Sequence, residues 1–378
     1  MPPSLFGVAT FSGLRGIASV PSYVLMQPTT LCNLNCAYCY LPHRASDNRM
    51  PVAVAEAVAA SANRWALDNE RFSVVWHGGE PLSAGRGHLA SLMAPFAGGI
   101  EQHVQTNGTL VDDRWCEFFK EHDVRVGLSI DGPRESTSLR VDWAGRPAYD
   151  RIMRGVAALR RHEIRFAVIC VVSDPRPGLA GELYEFFADL GCFWLGVNIE
   201  EREGVNTRDN ARPAAAVQTF WAELAAAWLA DPRIELREIE WALRYAGGVL
   251  AGDADDLLPR QRDPIPTVAS DGRVVLFSPE LAGFTDPRYG DFASGNVLDR
   301  PLHEIVTETI TAPSGWIAEY LSGMESCRDS CPYFGFCGGG QASNRLFELG
   351  RFDATVTAHC SDTKIRLLEG VLDHARAS

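Results

Sequence analysis

The sequence lacks three features that would place the protein in other classes. No run of about 18 apolar residues occurs, and the N-terminal segment has no basic region followed by an apolar stretch. With 35 basic and 48 acidic residues the formal net charge is -13, so a basic face for phosphate groups is not expected. The sequence therefore predicts a cytoplasmic protein that binds neither a membrane nor nucleic acid.

Disulfide bonds are not expected in a reducing compartment, yet the chain has ten cysteines. Seven of them fall into two groups, and such clustering favours metal binding. The first group is Cys32, Cys36 and Cys39, and the second is Cys327, Cys331, Cys337 and Cys360. The other three, Cys116, Cys170 and Cys192, lie in apolar stretches and are predicted to be small buried side chains.

The first group has the spacing C-x3-C-x2-C. Three thiolates supply one ligand fewer than a [4Fe–4S] cubane has irons, so one iron is left to bind something other than protein. A zinc knuckle or a set of buried cysteines is the alternative, although a zinc site wants a fourth ligand. The spacing therefore favours a cluster with an open coordination position.

Apolar strand-like runs alternate with helical patterns through the first two thirds of the chain. The runs are 23–27, 72–76, 103–105, 124–130, 165–172 and 193–199, and the helical patterns are 51–67, 87–96, 112–122, 149–161, 179–190 and 213–229. This alternation predicts an α/β fold with βαβ units and a parallel sheet. Chemistry in such folds is expected at the C-terminal ends of the strands.

The spacing of the first cysteine group resembles the cluster motif of the radical S-adenosylmethionine (SAM) enzymes. The stretch 76–82, Trp-His-Gly-Gly-Glu-Pro-Leu, is similar to the GGEP motif of the same family. The resemblance implies a partial (β/α)6 barrel of the TIM type, a [4Fe–4S] cluster whose free iron binds SAM, and cleavage of SAM to a 5′-deoxyadenosyl radical.

The same resemblance implies which residues contact SAM. Gly78, Gly79 and Glu80 are expected at its amino group. The other expected contacts are Asn107, Ser129, Arg140 for the carboxylate, and Asn198 in the acidic segment after the sixth strand, where a solvated loop is the alternative. Relatives commonly carry a His-Asp pair before the arginine, whereas residues 134–139 here read Arg-Glu-Ser-Thr-Ser-Leu.

The second cysteine group resembles the C-terminal SPASM region of radical SAM peptide maturases, which usually has seven cysteines and two auxiliary clusters. Ser278 and Gln341 stand where relatives have cysteine, and a third cysteine is missing after the Gly-Asn-Val stretch at 295–297. Four cysteines remain. The sequence therefore predicts one auxiliary [4Fe–4S] cluster, with a four-thiolate zinc site as the alternative.

Four segments are expected along the chain. They are a lead-in at 1–22, the partial barrel at 23–245, a bridging region at 246–312 and an auxiliary-cluster domain at 313–378. Within the bridging region, residues 247–261 read as a linker and 265–277 as a β-hairpin around Ser-Asp-Gly.

Stretches 25–30, 277–281, 337–344 and 347–352 resemble the cyclophane-forming maturases of ribosomally made peptides and their GRRM-type neighbours. This branch implies abstraction of a Cβ hydrogen from a precursor peptide, a C–C crosslink to an aromatic ring, and an external electron donor of the flavodoxin or ferredoxin type. Glu280 is the candidate proton acceptor, with a structural turn carboxylate as the alternative.

Other functions stay open at this stage. A thioether-forming or a sulfatase-type maturase, which makes formylglycine, uses similar cluster motifs. The non-enzymatic alternative is an iron–sulfur and SAM-binding peptide scaffold. Only 31 residues precede Cys32, fewer than a leader-binding domain needs, so the leader is expected at the barrel mouth and bridge or on a separate protein.

Overall fold

The computed structural model describes residues 16–68, 72–208, 211–252 and 261–377. Six parallel strands alternate with helices in its first two thirds, as the sequence predicts. The strands are β1 (Tyr23–Met26), β2 (Ser73–Trp76), β3 (Glu101–Thr106), β4 (Val124–Ser129), β5 (Phe166–Val172) and β6 (Trp194–Ile199). The helices are α1 (Val52–Asp68), α2 (Arg86–Met93), α3 (Asp113–Glu121), α4 (Tyr149–Arg161), α5 (Leu179–Leu190) and α6 (Ala214–Ala230). The predicted α/β barrel is confirmed.

The sheet is longer than the six predicted strands. A short strand β7 (Glu235–Leu236) pairs with β6, and the hairpin strands β8 (Thr267–Val268) and β9 (Arg273–Val275) extend the other edge, followed by β10 (Gly295–Asn296). Strand β8 runs parallel to β1, with Leu25 opposite Thr267. The predicted hairpin is therefore confirmed, and it continues the barrel sheet directly.

The predicted linker at 247–261 is wrong at its start. Residues up to 251 belong to helix α7 (Arg237–Ala251), and residues 253–260 lie outside the described part of the chain. Two adjacent glycines at 247 and 248 suggested a break, since glycine costs about 1 kcal/mol in a helix. The first half of α7 compensates, because Ile239 and Ala242 are fully buried against the core.

The last third of the chain is helical and packs back onto the barrel. Its elements are α8 (Leu302–Thr311), α9 (Gly315–Ser330), α10 (Phe334–Cys337), α11 (Ala342–Leu349), α12 (Ala358–Cys360), a π-helical turn (Ser361–Ile365) and α13 (Arg366–Ala377). Helix α13 crosses α6 so closely that a Cβ on Gly370 would lie 2.5 Å from the carbonyl oxygen of Gln218. None of the described helices is long and apolar enough to cross a membrane.

Local sequence explains several element ends. Asp112 starts α3, because its Oδ1 accepts a hydrogen bond of 2.8 Å from the Trp115 amide. Gly191 ends α5 in the left-handed conformation. Trp76 at the end of β2 is fully buried, and its Nε1 donates to Gln102 at 2.8 Å. These contacts fix the start of α3, the end of α5 and the end of β2.

Candidate active site at the C-terminal edge of the sheet

The loop that carries the first cysteine group follows β1. Backbone bonds hold it against neighbouring segments, from Cys32 N to the Arg44 oxygen at 2.8 Å and from Ala37 N to the Leu139 oxygen at 3.0 Å. Cys32 and Cys36 are buried, and Cys39 is half-buried. The structure therefore brings the three predicted ligands together at the edge where a parallel sheet places its chemistry.

The surroundings of these thiols fit a metal–sulfur group. Burial raises the pKa of Cys32 to about 12 and that of Cys36 to about 11, so thiolates there need a compensating cation. Cys32 Sγ also lies 3.4 Å from the Leu34 amide and 3.8 Å from Asn107 Nδ2, both hydrogen-bond donors. A cluster held by three thiolates satisfies this arrangement.

The glycine loop after β2 lies directly against the cysteine loop. A Cβ on Gly79 would come within 2.7 Å of the carbonyl oxygens of Thr29 and Leu31, and its φ of +60° also favours glycine. Gly78 has a φ of +92° and packs against Gln27. Only glycine permits this close approach, which keeps the loop backbone beside the cluster site.

Glu80 is fully buried and hydrogen-bonded within the protein. Its Oε1 accepts from the Leu82 amide at 3.1 Å and from Thr106 Oγ1 at 2.6 Å, and its Oε2 accepts from the Asn107 amide at 2.7 Å. Burial raises the pKa of this carboxyl to about 7. Glu80 thus ties the loop after β2 to the end of β3; its predicted contact with the SAM amino group stays a prediction.

Arg140 lies beside the cysteine loop, but its fork already binds a carboxylate of the protein. Its Nε and Nη2 donate to the two oxygens of Asp131 at 2.9 and 2.8 Å, and both residues are buried. Tyr38 Oη donates to the same carboxylate at 2.5 Å. Arg140 also favours the thiolate of Cys36. Asp131, which begins the Asp-Gly-Pro stretch at 131–133, is not among the residues predicted for the site.

The other predicted SAM contacts also lie at strand ends. Ser129 at the end of β4 accepts a hydrogen bond of 2.8 Å from Gln105 Nε2. Asn198 near the end of β6 accepts one of 2.7 Å from Arg237 Nη2, an arginine that sequence reasoning did not single out. Their roles toward SAM stay predictions.

The second cysteine group assembles from separate helices. Cys327 and Cys331 lie at the C-terminal end of α9, Cys337 ends α10 and Cys360 ends α12. Cys337 and Cys360 share a thiol hydrogen bond, which lowers the pKa of Cys337 to about 5 and raises the pKa of Cys360. Cys331 and Cys327 add to the rise at Cys360, so all four thiols lie close together.

A buried arginine beside this group fits an anionic centre. Arg345 is 1% exposed, and its Nη2 donates to Cys327 Sγ at 3.4 Å and to the Gly339 oxygen at 2.6 Å. Its Nη1 donates to the carbonyl oxygens of Tyr320 and Phe352. Among the described residues no carboxylate forms an ion pair with Arg345. A buried cation needs a counter-charge, which four metal-bound thiolates supply.

Three carboxyl groups meet between the two cysteine groups. Glu201 and Glu203 follow β6, and Glu280 follows the hairpin. Asn344, fully buried on α11, donates its Nδ2 to Glu201 at 2.7 Å and to Glu203 at 3.5 Å. His359 Nδ1 lies 3.1 Å from Glu201. We call these five residues the acidic network.

Two serines lie beside the acidic network. Ser278 is fully buried, and its Oγ accepts from the Ser343 amide at 3.0 Å. Ser343 Oγ lies 3.5 Å from Glu280 Oε2. Burial, followed by the charge of Glu201, raises the pKa of Glu280 to about 7. Ser278, where the resemblance led us to expect a cysteine, is thus hydrogen-bonded within the protein.

Tyr40, directly after Cys39, connects the cysteine loop with the acidic network. Its Oη lies 3.3 Å from His77 Nε2, and its carbonyl oxygen accepts from the Val205 amide at 3.1 Å. Burial, and then the charges of Glu280 and the other network carboxylates, raise its pKa. Tyr40 is not among the residues predicted for the site. No pattern in the sequence links it to residues so far along the chain.

A fold and site of this kind define an enzyme that carries a metal–sulfur cluster at the open end of a partial barrel. The model of the Radical SAM superfamily matches residues 26–175. An uncharacterized protein of Synechocystis sp., sll1766, is 33% identical over 355 residues, which cover 89% of this chain and 87% of that protein. The chain belongs to the radical SAM superfamily.

More distant comparisons agree with the fold. The serine-type anaerobic sulfatase-maturating enzyme of Bacteroides thetaiotaomicron is 34% identical over 188 residues, 46% of this chain and 45% of that enzyme, so the match spans about half of each. The solved structure of anSMEcpe with bound AdoMet and Cp18Cys peptide has a TM-score of 0.72 at 22% identity, covering 94% of this chain and 96% of that one.

Streptococcus suis SuiB bound to precursor peptide SuiA has a TM-score of 0.63 at 17% identity, covering 91% of this chain and 76% of that one. The protein is thus a radical SAM enzyme, whose cofactors are SAM and a [4Fe–4S] cluster. Cys32, Cys36 and Cys39 lie on the loop after β1 as free thiols, and their role as ligands of that cluster stays a prediction.

Proposed function

We propose that this enzyme modifies a ribosomally synthesised precursor peptide by joining a side-chain Cβ to an aromatic ring, which forms a cyclophane. The observation that carries the proposal is the acidic network, which lies beside the cysteine loop through Tyr40 and Glu280. A crosslinking reaction releases a proton, and this network places proton acceptors next to the radical site.

The substrate class is supported by the relatives. The Bacteroides thetaiotaomicron relative is a sulfatase-maturating enzyme, and the similar folds include SuiB bound to precursor peptide SuiA and anSMEcpe with a bound peptide. Each acts on or binds a polypeptide. A peptide substrate at the open end of the barrel is the inference common to all three.

The reaction balances as follows. Forming the carbon–carbon bond removes two hydrogens, one from the Cβ and one from the ring. When bound, SAM and its cluster supply the radical chemistry that removes the first as a hydrogen atom. The second leaves as a proton and an electron. The protein must therefore hold the C–H bond in place, accept a proton and pass on an electron.

Glu280 is the residue we assign to accept the proton. It is half-buried, and burial followed by the charge of Glu201 raises its pKa to about 7 against the hydrogen bonds from its own backbone amide and from Ser278; Ser343 Oγ lies 3.5 Å from its Oε2. A carboxyl with such a pKa is ionised in about half of the molecules at neutral pH and can take up a proton. Glu203, whose pKa burial and Glu201 raise, can pass it further.

The electron is assigned to one auxiliary [4Fe–4S] cluster held by Cys327, Cys331, Cys337 and Cys360. The lone Arg345 beside Cys327 supports an anionic group at this position. The hydrogen-bonded Ser278 supports the absence of a second auxiliary cluster. An external donor of the flavodoxin or ferredoxin type would supply the reducing electron for SAM cleavage.

Formylglycine formation is the second candidate, because sulfatase-maturating enzymes are among the relatives. The serine at position 278 argues for the crosslink, since sulfatase-type maturases typically keep every auxiliary cysteine. A thioether-forming maturase fits the peptide substrate equally and differs only in the atom that is attacked. The segment boundaries at 22 and 312 and a leader site at the barrel mouth and bridge are proposed as well.

Product analysis separates crosslinking from formylglycine formation. The anaerobically reconstituted enzyme is incubated with SAM, a reductant and an aromatic-containing peptide encoded by a neighbouring open reading frame. We expect a peptide that has lost two hydrogens, contains a crosslink between two residues in fragmentation spectra and does not react with a hydrazide. A hydrazide-reactive product indicates formylglycine and contradicts the crosslink.

The scaffold alternative is tested without any peptide product. The wild-type protein should release 5′-deoxyadenosine from SAM under reducing conditions, and Cys36→Ala should release none, because two thiolates do not hold the cluster. Cys116→Ala, which removes a buried thiol remote from both groups, is the control and should keep the activity. A cluster-loaded wild type that forms no 5′-deoxyadenosine would favour the scaffold.

A further inference from the structure

Lys364 lies beside the four C-terminal thiols. It is one of two lysines in the chain and belongs to the π-helical turn that follows Cys360. Residues four apart on a helix are neighbours, so its side chain and that of Cys360 share one face. Its Nζ lies 4.0 Å from the centroid of the Trp241 ring, which stacks on Phe336, the residue before Cys337.

The ammonium group of Lys364 has no hydrogen bond or ion pair to any described residue. The side chain of Lys364 is half-buried, and its charge lowers the pKa of Cys337. Arg237 and Glu238 on α7 face it with opposite charges. Glu201 and His359 also interact with its charge, again with opposite signs. The aromatic ring of Trp241 is a partial partner, and none of the described carboxylates forms an ion pair with the ammonium group.

Arg345 contacts the same group of thiols at Cys327; no described carboxylate forms an ion pair with it, although Asp353 interacts with its charge. Two cations beside the thiols with only partial counter-charges are unfavourable when nothing anionic is bound there. Four thiolates on a cubane carry net negative charge, and that charge compensates both. The two cations and the four thiolates therefore compensate each other's charge.

We propose that Lys364 and Arg345 are the built-in counter-charges of the group held by Cys327, Cys331, Cys337 and Cys360, and that Lys364 raises the reduction potential of that group. A nearby positive charge stabilises the more negative, reduced form. The effect grows with the exclusion of water, and two of the four thiols, Cys327 and Cys360, are buried. A higher potential suits a group that accepts an electron from the substrate. This inference rests on the proposed auxiliary cluster.

The test is a redox titration followed by EPR. The triple variant C32A/C36A/C39A removes the SAM cluster, so that one signal remains. In that background Lys364→Met removes the charge and keeps most of the side-chain volume, and Lys364→Arg keeps the charge. We expect a lower midpoint potential for the Met variant, a potential close to the parent for the Arg variant, and equal iron content in all three.

An unchanged midpoint potential in an iron-loaded Lys364→Met variant would overturn the inference and leave the auxiliary cluster standing. A parent triple variant that binds no iron and sulfide, or binds zinc, would instead refute the proposed cluster. If the Met variant does not retain iron, Lys364→Gln replaces it. This neutral variant can still form hydrogen bonds. A lower midpoint potential supports the inference, and an unchanged midpoint potential overturns it.

Discussion

Two carboxyl groups of the site have a pKa raised to about 7, yet their surroundings differ: Glu80 is fully buried and Glu280 is half-buried. Both oxygens of Glu80 accept hydrogen bonds from the ends of two loops, so its carboxylate is fixed in place. Glu280 is hydrogen-bonded at its own turn, lies 3.5 Å from Ser343 Oγ, and is close enough to Glu201 for that charge to raise its pKa. Glu280 thus belongs to a group of carboxyls that can exchange a proton, whereas Glu80 serves to join two loops.

Replacing Glu280 by glutamine tests this difference. Crosslinked product should fall about 100-fold, the scale of a lost general base, while 5′-deoxyadenosine release continues. The base acts in its ionised form, so the wild-type rate should rise with pH through about 7 and then level off. Rates are measured by chromatography from pH 5.5 to 8.5, roughly 1.5 units either side of that pKa.

Glu240→Gln is the matched control for that series. Burial raises the pKa of Glu240 too, but this residue lies on α7 and caps the Leu236 amide. Its variant should keep the product yield and the pH profile. A Glu280→Gln enzyme with full yield and the same rise near pH 7 would show that another group accepts the proton.

Gly79 offers a second prediction for a single residue. Its φ is +60°, and a Cβ would come within 2.7 Å of two backbone oxygens, which cannot move without disturbing the cysteine loop. Gly79→Ala should lose SAM binding and destabilise the protein by more than the about 1–2 kcal/mol that a left-handed alanine costs. Urea unfolding and equilibrium dialysis with SAM measure both effects.

Gly191→Ala is the companion variant, because Gly191 is left-handed with a φ of +80° and has no atom within 4 Å of its added Cβ. It should show the conformational cost alone and bind SAM normally. Equal destabilisation of the two variants, with SAM bound by both, would show that the contact of Gly79 with the backbone of the cysteine loop affects neither stability nor SAM binding.

Residue types that bind metal could be recognised from the sequence, but their partners could not. The seven cysteines predicted as ligands stand out because they are clustered, and cysteine spacing can be read directly from the sequence. Arg345 and Asn344 do not stand out, since an arginine or asparagine on a helix is ordinarily exposed. Their significance arises only when α11 packs against Cys327 and Glu201.

Among the elements, regular alternation made the barrel strands predictable. Each of the first six strands is a short buried run that appears within a few residues of its predicted position. The pairing of β8 with β1 was not predictable, because it joins residues far apart in the sequence through two short strands. Helix α7 was missed because its stability comes from packing at Ile239 and Ala242, which offsets the two glycines.

The contact between α6 and α13 provides a prediction at this scale. Gly370 on α13 lies where a Cβ would be 2.5 Å from the Gln218 oxygen and 3.0 Å from the Ala222 nitrogen. Gly370→Ala must push the helices apart, and overpacking of this kind costs about 1–3 kcal/mol. The free energy of unfolding in urea should fall by that amount.

Gly181 on α5 is the matched helical control, since nothing lies within 4 Å of its added Cβ. Gly181→Ala should stabilise the protein by about 0.5–1 kcal/mol through helix propensity. Stabilisation by both alanines would contradict the tight contact between α6 and α13.

In the whole molecule, the sheet and the helix packed on it hold both cysteine groups. The cysteine loop follows β1, and the hairpin that pairs with β1 leads to Ser278 and Glu280. Helix α13, which follows Cys360, packs on α6 of the barrel. Both proposed metal–sulfur groups therefore rest on the same framework, with the acidic network between them.

Iron and acid-labile sulfide per chain test this two-centre account most directly. Anaerobically reconstituted wild-type protein should bind about eight irons and eight sulfides. The triple variant C32A/C36A/C39A should bind about four of each, and so should C327A/C331A/C337A, each keeping one centre. About four irons in the wild type, with none left in C32A/C36A/C39A, would contradict the account.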